Sequence, residues 1–202
     1  MRIIAAALLS LAVAICASAQ AQAQAPQTRV RGVVESLDGR TLVVKTADGA
    51  TASVTLAPDY SVGAVVKATA AEIRKGGFIG VGARPQADGS LLAVQVFIFP
   101  EAMRGTGEGH RPWGVLPDST MTNATVAETV SRVDGASVML TYPGGEQKVT
   151  ITAEANIIMA APAQGSDLVA GAQVAMTATR QPGGGLTASR VTIAKAGAQL
   201  PL

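Results

Sequence analysis

The sequence predicts an all-β protein built from two tandem copies of a small five-stranded barrel, and three observations carry that expectation. Asp-Gly and Gly-Gly turns recur between short β-branched runs, as at Asp38-Gly39, Asp48-Gly49, Asp134-Gly135 and Gly183-Gly184. Such dipeptides are the strongest local signal for hairpins. An internal repeat runs through the chain, and each copy spells the same order of elements.

The repeat sets the architecture. Val54-Thr55-Leu56 aligns with Val149-Thr150-Ile151, an offset of 95 residues, and the same offset carries Gly76 to Gly171, Gly89 to Gly184, Leu91 to Leu186, Val96 to Val191 and Ile98 to Ile193 without a gap. Acidic positions follow, Asp59 with Glu154 and Glu72 with Asp167. Towards the front the offset becomes 96, pairing Val34 with Val130 and Asp38-Gly39 with Asp134-Gly135. Chance similarity between Val-rich strands would not keep turn glycines and acids in register.

The first copy reads as strands at 28–37, 41–46 and 51–56, with a short extra strand at 61–66. Thr69-Ala70-Ala71-Glu72 has capping-box spacing and Gly76 sits where a helix stops, which marks one short helix. Strands at 78–83 and 91–99 close the unit. The second copy repeats this with strands near 125–133, 137–141 and 147–152, a one-turn helix at 166–170, and a final hairpin of 173–180 and 186–194. Three strands, a small helix and two strands is the order of an OB-type barrel. The expected organisation is an export signal over 1–19, a low-complexity spacer at 20–27, OB-like domains at 28–99 and 123–194, a connecting loop at 100–122 and a tail at 195–202.

The amino terminus reads as a Sec-type signal. Arg2 precedes an apolar stretch from Ile3 to Ile15, and Ala17-Ser18-Ala19 fits a cleavage site. Ile15 before Cys16 fits a lipoprotein signal poorly. The expected location is the periplasm, and no later apolar run is long enough to make the processed chain transmembrane. One Cys and one His exclude a disulfide framework and any site needing two imidazoles. A net charge of +2 and an aromatic content of 3% argue against nucleic-acid binding.

The connecting loop holds the only His and the only Trp of the chain. A connection of more than twenty residues is long for a compact protein and is commonly functional. Its candidate partner-binding residues are Arg104, Glu108, His110, Arg111 and Trp113. Trp113 is expected to lie buried between the two barrels, with the loop resting on both. His110 and Glu108 with Met103 or Met121 form the weak candidate metal set, because imidazole and thioether suit soft ions. Gly105-Thr106-Gly107-Glu108-Gly109 has the look of a phosphate loop but lacks strand-to-helix context.

The two units, each with an acidic-aliphatic pair ahead of its helix stop (Glu72-Ile73 to Gly76, Asp167-Leu168 to Gly171), resemble bacterial exported OB-like domains of no assigned function. The segment Met103-Arg104-Gly105 through Trp113 to Ser119-Thr120-Met121-Thr122 resembles a proteobacterial exported group sometimes given transporter-type names. That group implies Asp after the Trp, where this chain has Gly114. The resemblance implies no catalytic residues. Carboxylates are scattered among turns, and no nucleophile pair accompanies the single His. The expectation is a non-enzymatic periplasmic binding or envelope-associated protein without a cofactor, whose partner is an envelope protein or a small ligand. The alternative is a metal-handling accessory using His110 and methionines.

If the amino-terminal reading holds, intact-mass measurement of the periplasmic fraction will show a chain starting near Gln20 or Gln22. An uncleaved start, or a lipid on Cys16, would overturn it.

Overall fold

The computed structural model describes residues 25–132 and 135–202. The export signal, Cys16 and the spacer up to residue 24 lie outside the described residues. Twelve strands are present among those described: β1 (Gln27–Asp38), β2 (Thr41–Thr46), β3 (Thr51–Lys67), β4 (Phe78–Pro85), β5 (Leu91–Ile98), β6 (Gly109–Pro112), β7 (Thr120–Arg132), β8 (Gly135–Tyr142), β9 (Gly145–Thr152), β10 (Asn156–Pro162), β11 (Gln173–Arg180) and β12 (Leu186–Ala194). Among the described residues helix is confined to three-residue 3-10 turns at Ala70–Glu72, Glu101–Met103 and Gly165–Asp167. No helix among the described residues is long and apolar enough to cross a membrane.

The two expected short helices are therefore single turns. Each is held by its own acid: the Thr69 N–H donates to Glu72 Oε2 at 2.6 Å, and the Gln164 N–H donates to Asp167 Oδ2 at 2.9 Å. The residues that follow, Ile73 and Leu168, are buried. Each turn thus inserts one aliphatic side chain into a barrel core.

Strands β1, β2 and β3 form an antiparallel meander. It closes into a five-stranded barrel with β11 and β12, through antiparallel β1–β11, antiparallel β11–β12 and parallel β3–β12. The strand order 1-2-3-5-4 with a parallel closing pair is OB-like. A second five-strand circuit runs β7-β8-β9 and closes on β5 and β4, again with a parallel pair, Leu91 beside Val149 and Leu92 beside Thr150.

This closure corrects the expectation of two self-contained tandem units. The carboxy-terminal hairpin of each repeat, β4–β5 or β11–β12, completes the meander of the other. The cores mix in the same way. Val30, Leu42, Val54 and Leu56 pack with Val174, Met176, Val191 and Ile193, while Val126, Leu140, Val149 and Ile151 pack with Ile79, Val81, Leu91 and Val96.

The crossing is made by β3. The expected strands at 51–56 and 61–66 are one strand of 17 residues, Thr51–Lys67. The strand bulges between Leu56 and Ser61, stays beside β12 as far as Val65, and ends at Lys67 next to Ala68, which lies in the other core. Its far half pairs antiparallel with its own repeat partner, β10, with Val65 opposite Ala160 and Lys67 opposite Ile158. Val65 and Ala160 are equivalent at the 95-residue offset, so this pair marks a pseudo-twofold relation between the halves.

One alignment needs correction. Val34 pairs with Val44 just before a bulge, and Val126 pairs with Leu140 just before the corresponding bulge. Val34 also exchanges backbone bonds with the 171–172 turn, as Val126 does with the 76–77 turn. The structural partner of Val34 is therefore Val126 and not Val130. The β7–β8 hairpin is longer than β1–β2, and matching their Asp-Gly turns shifted the alignment by that excess.

Because each barrel contains strands from both halves, a chain cut by an inserted protease site at Thr106–Gly107 should remain one particle in native mass spectrometry until it unfolds. Self-contained units would separate. Leu56→Ala, expected to cost about 2–5 kcal/mol, should lower one shared melting transition rather than one of two.

Candidate functional site

The connecting loop builds a site by folding onto one barrel. Its 3-10 turn is clamped by Arg104, whose Nε donates to Glu101 Oε1 at 2.5 Å and whose Nη2 donates to Glu101 Oε2 at 2.7 Å and to the Gly76 carbonyl at 2.8 Å. The same guanidinium lies 6.0 Å from the Phe78 ring centroid. The hydrogen bond from Arg104 holds the Glu101 carboxyl below its ordinary range, and Glu101 raises the guanidinium in return. Arg104 is thus committed to fixing the loop on β4 and β7.

Next comes a turn rich in positive-φ glycine, with Gly105 at φ 82° and Gly107 at φ 54°. Its carbonyls accept from side chains, Thr106 O from Asn123 Nδ2 at 2.9 Å and Gly107 O from Arg111 Nη1 at 2.8 Å. Its amides at Thr106 and Glu108 are spent on Met103 O and Gly105 O. A phosphate cradle needs those amides free, so this is a structural turn. Glu108 is exposed at its tip.

Strand β6 then lies along the start of β7, with His110 opposite Thr122 and Arg111 opposite Met121. Side chains alternate across a strand pair, so His110 and Met121 fall on opposite faces. His110 Nδ1 sits 2.8 Å from Thr122 Oγ1, and its ring stacks near Tyr142 with centroids 6.1 Å apart. No group of three or more His, Cys, Asp or Glu side chains gathers among the described residues. The candidate metal set of His110, Glu108, Met103 and Met121 is not brought together as one ligand shell.

On the other face stands Trp113. It was expected between the barrels; instead it lies half-buried over β4 of one of them. In β4, Ile79, Val81 and Ala83 point into the core, which leaves Gly80 and Gly82 facing outward. A Cβ at Gly82 would come within 2.5 Å of the indole ring, and one at Gly80 within 2.7 Å of Asn123 Oδ1 and 3.0 Å of Phe99. Two glycines on one face of a strand thus make the bed on which the aromatics rest. Gly114, where the resembling group implies Asp, has φ 68° and turns the chain away after the Trp.

Around this bed Phe99 packs on Phe78 at 5.3 Å and on Phe97 at 4.7 Å between centroids. The result is a shallow, open depression of about 480 Å³ lined by Gly80, Phe97, Phe99, Trp113 and Met121. Gln95, Asn123, Arg111 and Arg29 supply polar groups at its margin, and Pro201 and Leu202 form one wall. The predicted tail is docked here: Leu202 donates to Gln95 Oε1 at 2.7 Å and accepts from Arg29 Nη1 at 3.3 Å. Sequence reasoning missed Arg29, Gln95, Phe97 and Phe99. The available signal was Gly80 and Gly82, alternating with Ile79 and Val81 in a strand.

The turn carboxylates serve structure. A hydrogen bond from Thr46, then one from Ala50, lowers the pKa of Asp48, and Ser90 does the same for Asp88. Comparison with protein-family models, curated proteins and solved structures finds no match for this chain.

Gly82→Ala should displace the indole. Trp113 is the only Trp, so its emission reports the change directly. A red-shifted spectrum with the fold otherwise retained is expected, and an unchanged spectrum would show that the contact does not hold the ring.

Proposed function

We propose that the chain is an exported, non-enzymatic binding protein of the periplasm or envelope, in which two interlocked OB-like units carry a ligand site over β4 and β5. The amino-terminal signal read from the sequence supports the location. The reading of the site rests on one observation: three of the six aromatic residues of the chain, Phe97, Phe99 and Trp113, line one solvent-open face, with Phe78 buried against Phe99. A volume of about 480 Å³ falls in the range of small-molecule sites, roughly 300–1,000 Å³.

The marginal polar groups support binding over turnover. Guanidinium and carboxamide groups orient a ligand by hydrogen bonds but do not exchange protons at neutral pH. His110, the only imidazole, occupies the opposite face of β6.

Saturation-transfer NMR with a library of small aromatic and aliphatic fragments tests this reading. Fragments bound by the wild-type chain should lose most of their signal with Trp113→Ala and with Met121→Ala, while thermal melts confirm folding. Fragment binding indifferent to both substitutions, or none at all, would refute the site.

A further inference from the structure

The two barrels carry equivalent outer faces that have diverged in chemistry. Gly80 pairs with Asn123 and Gly82 with Met121 on one barrel; Ala175 pairs with Arg31 and Thr177 with Arg29 on the other. Gln95 beside Asn156 corresponds to Arg190 beside Ser61, and Phe97 beside Ile158 corresponds to Thr192 beside Gly63. So Met121, Asn123, Gln95 and Phe97 on the aromatic face are replaced at equivalent positions by Arg29, Arg31, Arg190 and Thr192.

These replacements line a second open depression, of about 550 Å³, together with the hydroxyl-bearing Thr177, Thr179 and Ser189. No Asp or Glu side chain lines it. The ion pairs found among the described residues join Arg104 to Glu101 and Lys195 to Asp167, and neither involves these three arginines. Arg31 Nη2 donates to the Leu200 carbonyl at 3.0 Å and Arg29 Nη1 to the Leu202 carbonyl. Each guanidinium has five N–H donors, so both are anchored and keep donors to spare. β1 and β12 flank β11, which sets them about 10 Å apart, within joint reach of long side chains.

Three guanidiniums that pair with no Asp or Glu side chain, beside hydroxyl groups, are complementary to an oxyanion. The two depressions also meet, because Arg29, Pro201 and Leu202 line both. We propose that they form one composite site for an organic anion, a phosphate or carboxylate head held by Arg29, Arg31 and Arg190 with an apolar body lying against Phe97, Phe99 and Trp113. The head-group site is independent of the reading above; the placement of the apolar body rests on it.

Isothermal titration of the full chain with phenyl phosphate, inorganic phosphate and benzyl alcohol tests the proposal. Phenyl phosphate should bind about tenfold tighter than either fragment alone, since it engages both faces. Arg190→Gln should weaken it about tenfold while Arg190→Lys retains part of the affinity. Arg190 is exposed and engages no side-chain hydrogen bond in the structure, so the fold should tolerate this change, and Thr192→Val provides a second variant should it not. Vesicles of phosphatidylglycerol, set against phosphatidylcholine, distinguish a lipid headgroup from a soluble ester: vesicle binding lost with Arg190→Gln identifies the first, phenyl phosphate binding without vesicle binding the second. Phenyl phosphate bound no tighter than inorganic phosphate, or equally well by Arg190→Gln, overturns the composite site. Aromatic fragments that bind at Trp113 while no anion binds would overturn this proposal and leave the simpler binding reading standing.

Discussion

The parallel pairing of β3 with β12, and of β9 with β5, is the contact on which the rest of the structure depends. Each pair joins a meander from one half of the chain to a hairpin from the other. Without it neither barrel is closed, and the inner rows of Val, Leu and Ile on both sides would face water. A 72-residue β unit buries limited apolar surface by itself. Exchange of hairpins makes two such units into one interlocked body, with β3 and β10 shared along the pseudo-twofold junction. Val65, Ile158 and Ala198 fill a small third core there.

The exchange also decides which outer faces adjoin. Along the sheet, β12, β3, β10 and β5 follow one another, so the outward residues of two different barrels share one continuous surface. The tail crosses this surface, buries Ala198 and Leu200, and presents its carbonyls to Arg29 and Arg31. The two strand circuits present corresponding faces, one lined by aromatic side chains and the other by arginines. Their adjacency creates the composite depression; neither face alone offers both chemistries. The connecting loop deepens one side, because Arg104 and Glu101 pin its start while Gly82 of β4 lets Trp113 approach the strand closely.

Much of the fold was legible in the sequence because hairpin chemistry is local. Asp38-Gly39, Asp48-Gly49 and the inward Val and Leu positions mark turns and strands without reference to distant residues, and the repeat adds strand order. The alignment slipped at β7 because the longer hairpin moved the turn relative to the bulge, and bulges carry no clear sequence mark. The site was half legible. Trp113 stood out as the only Trp of the chain and Arg111 as a charge beside it in a long loop, whereas Phe97, Gln95 and Arg29 looked like ordinary strand positions.

The sequence by itself determined an all-β chain with OB-like strand order and an unusual loop in its middle. Only the tertiary structure decided which hairpin closes which barrel. The physical reason is the likeness of the two hairpins: Leu91, Ala93 and Val96 match Leu186, Ala188 and Val191 in sequence and pack into the two cores, so the inward pattern of either hairpin suits either meander. Local preference is degenerate between the two closures. In the structure β3 continues past its bulge to Lys67, and Ala68 after it lies in the other core, so the chain reaches the far barrel before β4 begins.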